Sequence, residues 1–104
     1  MDVLVDKKGE DIILLDLIGV ASFTDYFVIC SGSSHRMIRA LANAVQDELR
    51  ETYKLKTRVE GEPEGGWLLG DYGDVVVHIF SEEQRKFYAL EELWAGGKVL
   101  LHMQ

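Results

Sequence analysis

The chain has 104 residues, 47% of them apolar, one proline, and a formal net charge of −7 from eighteen carboxylates against eleven Lys and Arg. That composition describes one domain, able to bury roughly two-thirds of its unfolded surface and too apolar for disorder. The acidic balance argues against extended nucleic-acid binding, which depends on cationic contacts releasing counterions from phosphates, and it suits a basic protein partner. No run reaches the roughly 20 apolar residues of a membrane span and no signal peptide opens the chain, so a cytoplasmic protein with no membrane contact is expected. Cys30 is the single cysteine, and its place in an apolar run reads as a buried thiol in a reducing compartment.

Asp11 to Leu17 predicts a first strand, built on Ile12-Ile13-Leu14-Leu15 and broken at Gly19. Tyr26-Phe27-Val28-Ile29-Cys30 is apolar on both faces and predicts a central strand. It ends in Ser31-Gly32-Ser33-Ser34 and passes into a helix over Met37 to Tyr53. Met37, Leu41, Val45, Leu49 and Tyr53 give that helix an i, i+4 apolar stripe, with Arg36, Arg39, Asp47 and Arg50 off it. A third strand is expected near Lys56 to Glu60, followed by a loop of Gly61, Pro63, Gly65 and Gly66. Trp67 to Phe80 then reads as a hairpin, with Asp71-Tyr72-Gly73-Asp74 between β-branched and aromatic runs. Val75, Val77 and Ile79 point to one face of its second strand, and Val76, His78 and Phe80 to the other. Ser81-Glu82-Glu83-Gln84 matches a capping box, so a second helix starts there and carries Phe87, Leu90 and Trp94 inward. Ala95 to Gln104 contains a Gly96-Gly97 hinge and an apolar tail that the pattern does not place. Strands alternating with helices give an α/β fold: a single domain over 1–104 with a mixed β-sheet and flanking helices.

The Cys30-Ser31-Gly32-Ser33-Ser34 turn is where enzymology would sit. Small residues before a helix start offer backbone N–H groups to an anion, and nucleotidyltransferases use such a loop for a triphosphate. They also need paired carboxylates to hold magnesium, whose ligands must converge on one point. The strand after this helix offers Glu60 alone, and Asp71 and Asp74 flank a turn. Catalytic residues, metal ligands and cofactors are therefore all expected to be absent, and an inert helix cap explains the loop. His35 and Arg36 stand in a first helical turn, where the macrodipole disfavours cations. His78, inside an apolar strand, reads as a structural histidine rather than a ligand, since no second His or Cys stands at metal spacing. Cys30 lacks the electropositive setting of a nucleophile.

Four segments carry a resemblance: Asp25 through Ser34, Val59-Glu60-Gly61, Trp67 through His78, and Tyr88-Ala89-Leu90-Glu91-Glu92-Leu93-Trp94. Together, and in this order, they resemble the ribosomal silencing factor family, RsfS, also called Iojap, over about Lys7 to Trp94. The resemblance implies a nucleotidyltransferase-like fold without the catalytic carboxylates. It further implies binding to the large ribosomal subunit through ribosomal protein L-fourteen (uL-fourteen), and a steric block on small-subunit joining that represses translation. A homodimer of the free protein is usual in the family, and organellar relatives are tied to large-subunit assembly.

The partner surface is expected to centre on the hairpin. Trp67, Leu68 and Leu69 would be its apolar anchors and Asp71, Tyr72 and Asp74 its polar rim, with Arg85, Lys86 and Tyr88 as further contacts. Little direct nucleic-acid contact is expected. A large-subunit assembly factor using the same surface is one competing reading, and a small nucleotidyltransferase acting through Ser31-Gly32-Ser33 is another. Magnesium-dependent nucleotide turnover would favour the enzyme; co-sedimentation with large subunits would favour a ribosome-binding factor.

Overall fold

The computed structural model describes residues 9–20, 22, 24–54, 59–88 and 98–103, with side chains for all of these except 63, 87, 88, 98, 101 and 103. Among the described residues the elements run β1 (Glu10–Asp16), β2 (Tyr26–Gly32), α1 (His35–Tyr53), β3 (Val59–Glu62), a 3₁₀ turn (Pro63–Gly65), β4 (Trp67–Asp71), β5 (Val75–Ser81), α2 (Glu82–Tyr88) and β6 (Lys98–Met103). They form one sheet in the order β3-β4-β5-β2-β1-β6. The β2–β5 pair is parallel and the other four pairs are antiparallel. The expected mixed α/β architecture is therefore the observed one, and β2 is internal, as its two apolar faces require.

α1 starts because Ser34 sits in extended backbone and its Oγ accepts the Met37 N–H at 3.0 Å. It stops at Lys54, whose left-handed φ of 59° lets its N–H reach the Leu49 carbonyl. The helix buries Ile38, Leu41, Ala42 and Val45 against Ile12, Val28, Cys30, Leu68, Val77 and Ile79 of the sheet. Tyr53, expected on the buried stripe, is 63% exposed. Residues spaced by four turn about 40° further round a 3.6-residue helix at each step, so a stripe begun at Met37 has left the sheet by Tyr53. Gly32 stands where a Cβ would come within 2.9 Å of Ile38 Cγ1, so close packing of α1 on β2 requires glycine there.

The opposite face of the sheet gathers Ile13, Leu15, Leu17, Phe27, Ile29, Val76 and Phe80, with Trp67 and Leu69 packed against them. α2 begins as the capping box predicts, Ser81 Oγ accepting the Gln84 N–H at 3.1 Å. Residues 98–103, which the sequence pattern left unplaced, pair with β1 as the edge strand β6. Residues 56–58 of the expected third strand, together with Leu90 and Trp94 and the side chains of Phe87 and Tyr88, lie outside the described residues.

Candidate functional site

The hairpin is set by its turn and by what fastens it. Tyr72 N–H bonds to the Val75 carbonyl at 2.9 Å, and the Asp71 carboxylate accepts the Gly73 N–H at 2.9 Å. The Asp74 carbonyl accepts the N–H groups of Asp25 and Tyr26, each at 3.0 Å, and the Thr24 hydroxyl at 2.9 Å. Three donors on one carbonyl tie the turn to the start of β2. On the other side, β3 lies so close to β4 that a Cβ on Gly61 would stand 2.3 Å from the Trp67 carbonyl. With φ at +101°, that position demands glycine on two counts.

Strand alternation divides the expected contact residues between two faces. Trp67, Leu69 and Asp71 share the face away from α1, and the β3–β4 register places Glu62 beside Trp67 and Glu60 beside Leu69. The indole and Leu69 are half-buried, while Glu60, Glu62 and Asp71 are exposed. The result is a partly covered apolar strip with carboxylates along its outer edge. Glu60 and Glu62 were not among the expected contacts. Their period-two spacing in Val59-Glu60-Gly61-Glu62 was visible, but the pairing partner that puts them beside Trp67 was not.

The structure corrects two expectations. Leu68 is 4% exposed and lies in the core beneath α1, so it cannot anchor a partner. Arg85 is 5% exposed. It donates from Nη1 to Ser31 Oγ at 3.0 Å and to the Asp11 carbonyl, and its Nη2 lies 3.5 Å from the Asp11 carboxylate. It is an internal tie between α2, β2 and β1. Tyr72 is half-buried, turned toward the α1 side over Gly70, and burial pushes its phenol up from the usual value. Asp74 and Lys86 are exposed.

Behind Trp67 lies an aromatic group with one polar member. Trp67 stacks on Phe80 at 5.0 Å between centroids, and Phe27 meets His78 edge-on at 4.5 Å. The indole Nε1–H donates to His78 Nδ1 at 3.2 Å. Since an indole can only donate, Nδ1 is bare and the ring proton sits on Nε2. That Nε2–H is buried and meets no acceptor among the described residues. Burial also pulls the imidazole down to about 4, so it is neutral at ordinary pH. The expectation of a satisfied structural histidine thus holds at one nitrogen and fails at the other.

The Gly-Ser loop gives an open hollow bounded by Gly32, Ser33, Ser34, His35, Ser81 and Glu82. Its glycine answers to Ile38 and its Ser34 to the helix cap. Among the described residues, no three His, Cys, Asp or Glu side chains converge as a metal site would need. Cys30 is fully buried, and desolvation pushes its thiol up to about 11, opposite to what a nucleophile requires. No helix among the described residues is long and apolar enough to cross a membrane.

The family model described as ribosomal silencing factor during starvation matches residues 1–102. The chain belongs to the RsfS family. It is 43% identical over 92 residues to the ribosomal silencing factor RsfS of Bacillus subtilis, covering 88% of this chain and 78% of that one. A crystal structure of a Chromobacterium violaceum protein superposes with a TM-score of 0.85 at 41% identity, covering 93% of this chain and 81% of that one. The mouse protein named mitochondrial assembly of ribosomal large subunit protein 1 is 35% identical, matching 90% of this chain and 42% of its own length. Three of the four segments that resemble the RsfS family fall on adjacent strands: Asp25 to Ser34 on β2 and the α1 cap, Trp67 to His78 on the hairpin, and Val59 to Gly61 on β3. The fourth runs almost wholly outside the described residues.

Proposed function

We propose that this RsfS-family chain binds the large ribosomal subunit through ribosomal protein uL-fourteen, and that its bulk on the subunit-joining face blocks the small subunit and lowers translation. Family membership over residues 1–102 carries the reading, and the hairpin supplies a surface that suits it. A half-buried indole and Leu69 offer apolar contact, and Glu60, Glu62 and Asp71 offer charge complementary to a basic ribosomal protein. A standard interface of roughly 800 Å² per partner is within reach of one side of a domain this size. Steric blocking needs a footprint and no chemistry, so the proposal includes no enzyme activity, no cofactor and little direct contact with ribosomal RNA. It places the chain in the cytoplasm, where it meets ribosomes.

The name of the mouse relative favours a second reading, large-subunit assembly by occupation of the same surface. A homodimer of the free chain is also proposed. Its candidate contact is the β1–β6 end of the sheet, where Ile18, Val20, Val99 and Leu100 are exposed apolar residues away from the hairpin strands. Sedimentation of purified subunits at fixed salt, with and without the chain, tests the main reading. Loss of the joined-ribosome peak, with the chain riding on the large subunit, is expected. Unchanged joining with the chain still bound would leave assembly as the function, and no binding at all would overturn both.

A further inference from the structure

We infer that His78 is a positioning residue for the hairpin surface, holding the Trp67 indole by its N–H so that a docking partner meets only ring carbon. The inference rests on the reading of Trp67 as a partner contact.

His78 is 4% exposed on a sheet face otherwise made of Phe27, Val76, Phe80, Trp67 and aliphatic residues. An aliphatic side chain of similar size would fill that place without desolvating an imidazole, and without a buried Nε2–H that meets no acceptor among the described residues. The polar contact the ring does make is to the indole, at 3.2 Å. Trp67 and His78 are diagonal neighbours across the β4–β5 ladder, since Trp67 faces Phe80 and Leu69 faces His78. The indole has two side-chain torsions. Stacking on Phe80 at 5.0 Å restricts its plane, and a stacking contact carries no direction for the N–H within that plane. The His78 acceptor supplies that direction. Burial keeps the imidazole neutral at the pH of the cell, so the acceptor is always present. The indole therefore reaches the surface with one orientation and with its one polar group already used, which lowers the ordering cost of docking.

Asn and Leu test this because both branch at Cγ with the same number of heavy atoms and differ in whether an acceptor stands where Nδ1 stands. Large-subunit affinity, thermal unfolding and the indole N–H resonance of ¹⁵N-labelled protein are to be measured for Trp67→Ala, His78→Leu and His78→Asn. The resonance is assigned by its loss in Trp67→Ala. His78→Leu is expected to bind about five- to tenfold more weakly while unfolding at the same or a higher temperature, with the indole resonance shifted; His78→Asn should recover most of the affinity and the parental shift. Weakened binding by Trp67→Ala, with His78→Leu binding as the parent does, would overturn the positioning role and leave the hairpin reading intact. Equal losses in His78→Leu and His78→Asn that follow their unfolding temperatures would also overturn it, reducing His78 to packing. Undiminished binding by Trp67→Ala would remove the hairpin from the interface and this role with it.

Discussion

On the α1 side of the hairpin, Leu68, Val77 and Ile79 are 4, 7 and 2% exposed, and among the described residues their neighbours are aliphatic apart from Cys30 and the partly buried Met37 and Tyr72. On the other side, one residue away along the same strands, Trp67 and Leu69 are only half-covered and a neutral histidine sits among aromatic rings. One ladder of backbone hydrogen bonds supports both faces, so backbone pairing does not account for the difference. The first face has a single demand, to exclude water under a helix. The second tolerates an imidazole N–H that meets no acceptor among the described residues and an incompletely buried indole, both of which weaken a core. Such a departure from good packing is what a surface shaped for a partner would show.

Breaking the helix-covered face should have the largest effect. Leu41→Ala removes a fully buried side chain and is expected to cost about 2–5 kcal/mol of stability in urea unfolding, with the affinity of the folded fraction unchanged. On the other face, pH is the lever. The folded chain keeps His78 neutral down to about pH 4, whereas the unfolded chain protonates it near pH 6.5. Between those values the unfolded state binds more protons, so this group's contribution rises with pH and is lost as pH falls from 6.5 toward 4. The loss reaches at most about 3 kcal/mol, and its removal in His78→Leu, seen as a flatter stability profile across that window, checks it.

Trp67→Ala acts on the half-covered face through binding rather than stability. It should weaken large-subunit binding by about 2 kcal/mol, well beyond any effect of a comparable truncation at Leu49 on the helix side. The smallest effect belongs to the rim. Asp71→Asn keeps an acceptor for the Gly73 N–H, and together with Asp74→Asn it should lower the association rate a few-fold and flatten its salt dependence, with little change in dissociation. A steep, phosphate-like salt slope in equilibrium binding would instead mean contact with ribosomal RNA.

Much of the fold was legible because it is local. The Ser34 and Ser81 caps, the hairpin turn and the alternation Val75 to Phe80 are each written within a few residues. What escaped is nonlocal. The tail became β6 only through β1, with His102 meeting the Asp11 carboxylate 91 residues away. Arg85, beside Lys86 and off the apolar face of its helix, reads as an exposed contact until Ser31 and Asp11 are placed around it. Leu68 followed the same logic: its strand was clear, but which side α1 would cover was not. At the site, Trp67 was legible as a large aromatic after two glycines, whereas Glu60, Glu62 and the His78 acceptor depended on strand register.

The antiparallel seam between β1 and β6 has a consequence for the order in which the protein is made. β1 can pair with β2 as soon as both have left the ribosome, but its other edge stays open until residues 98–103 follow. At roughly 5–20 residues per second, the 65 residues from 33 to 97 take about 3–13 s to synthesise. Throughout that interval the nascent chain presents Ile12-Ile13-Leu14-Leu15 with one row of backbone donors and acceptors unmet, a template for pairing with a neighbouring chain. The chain is thus most exposed to misassembly while it is itself being translated.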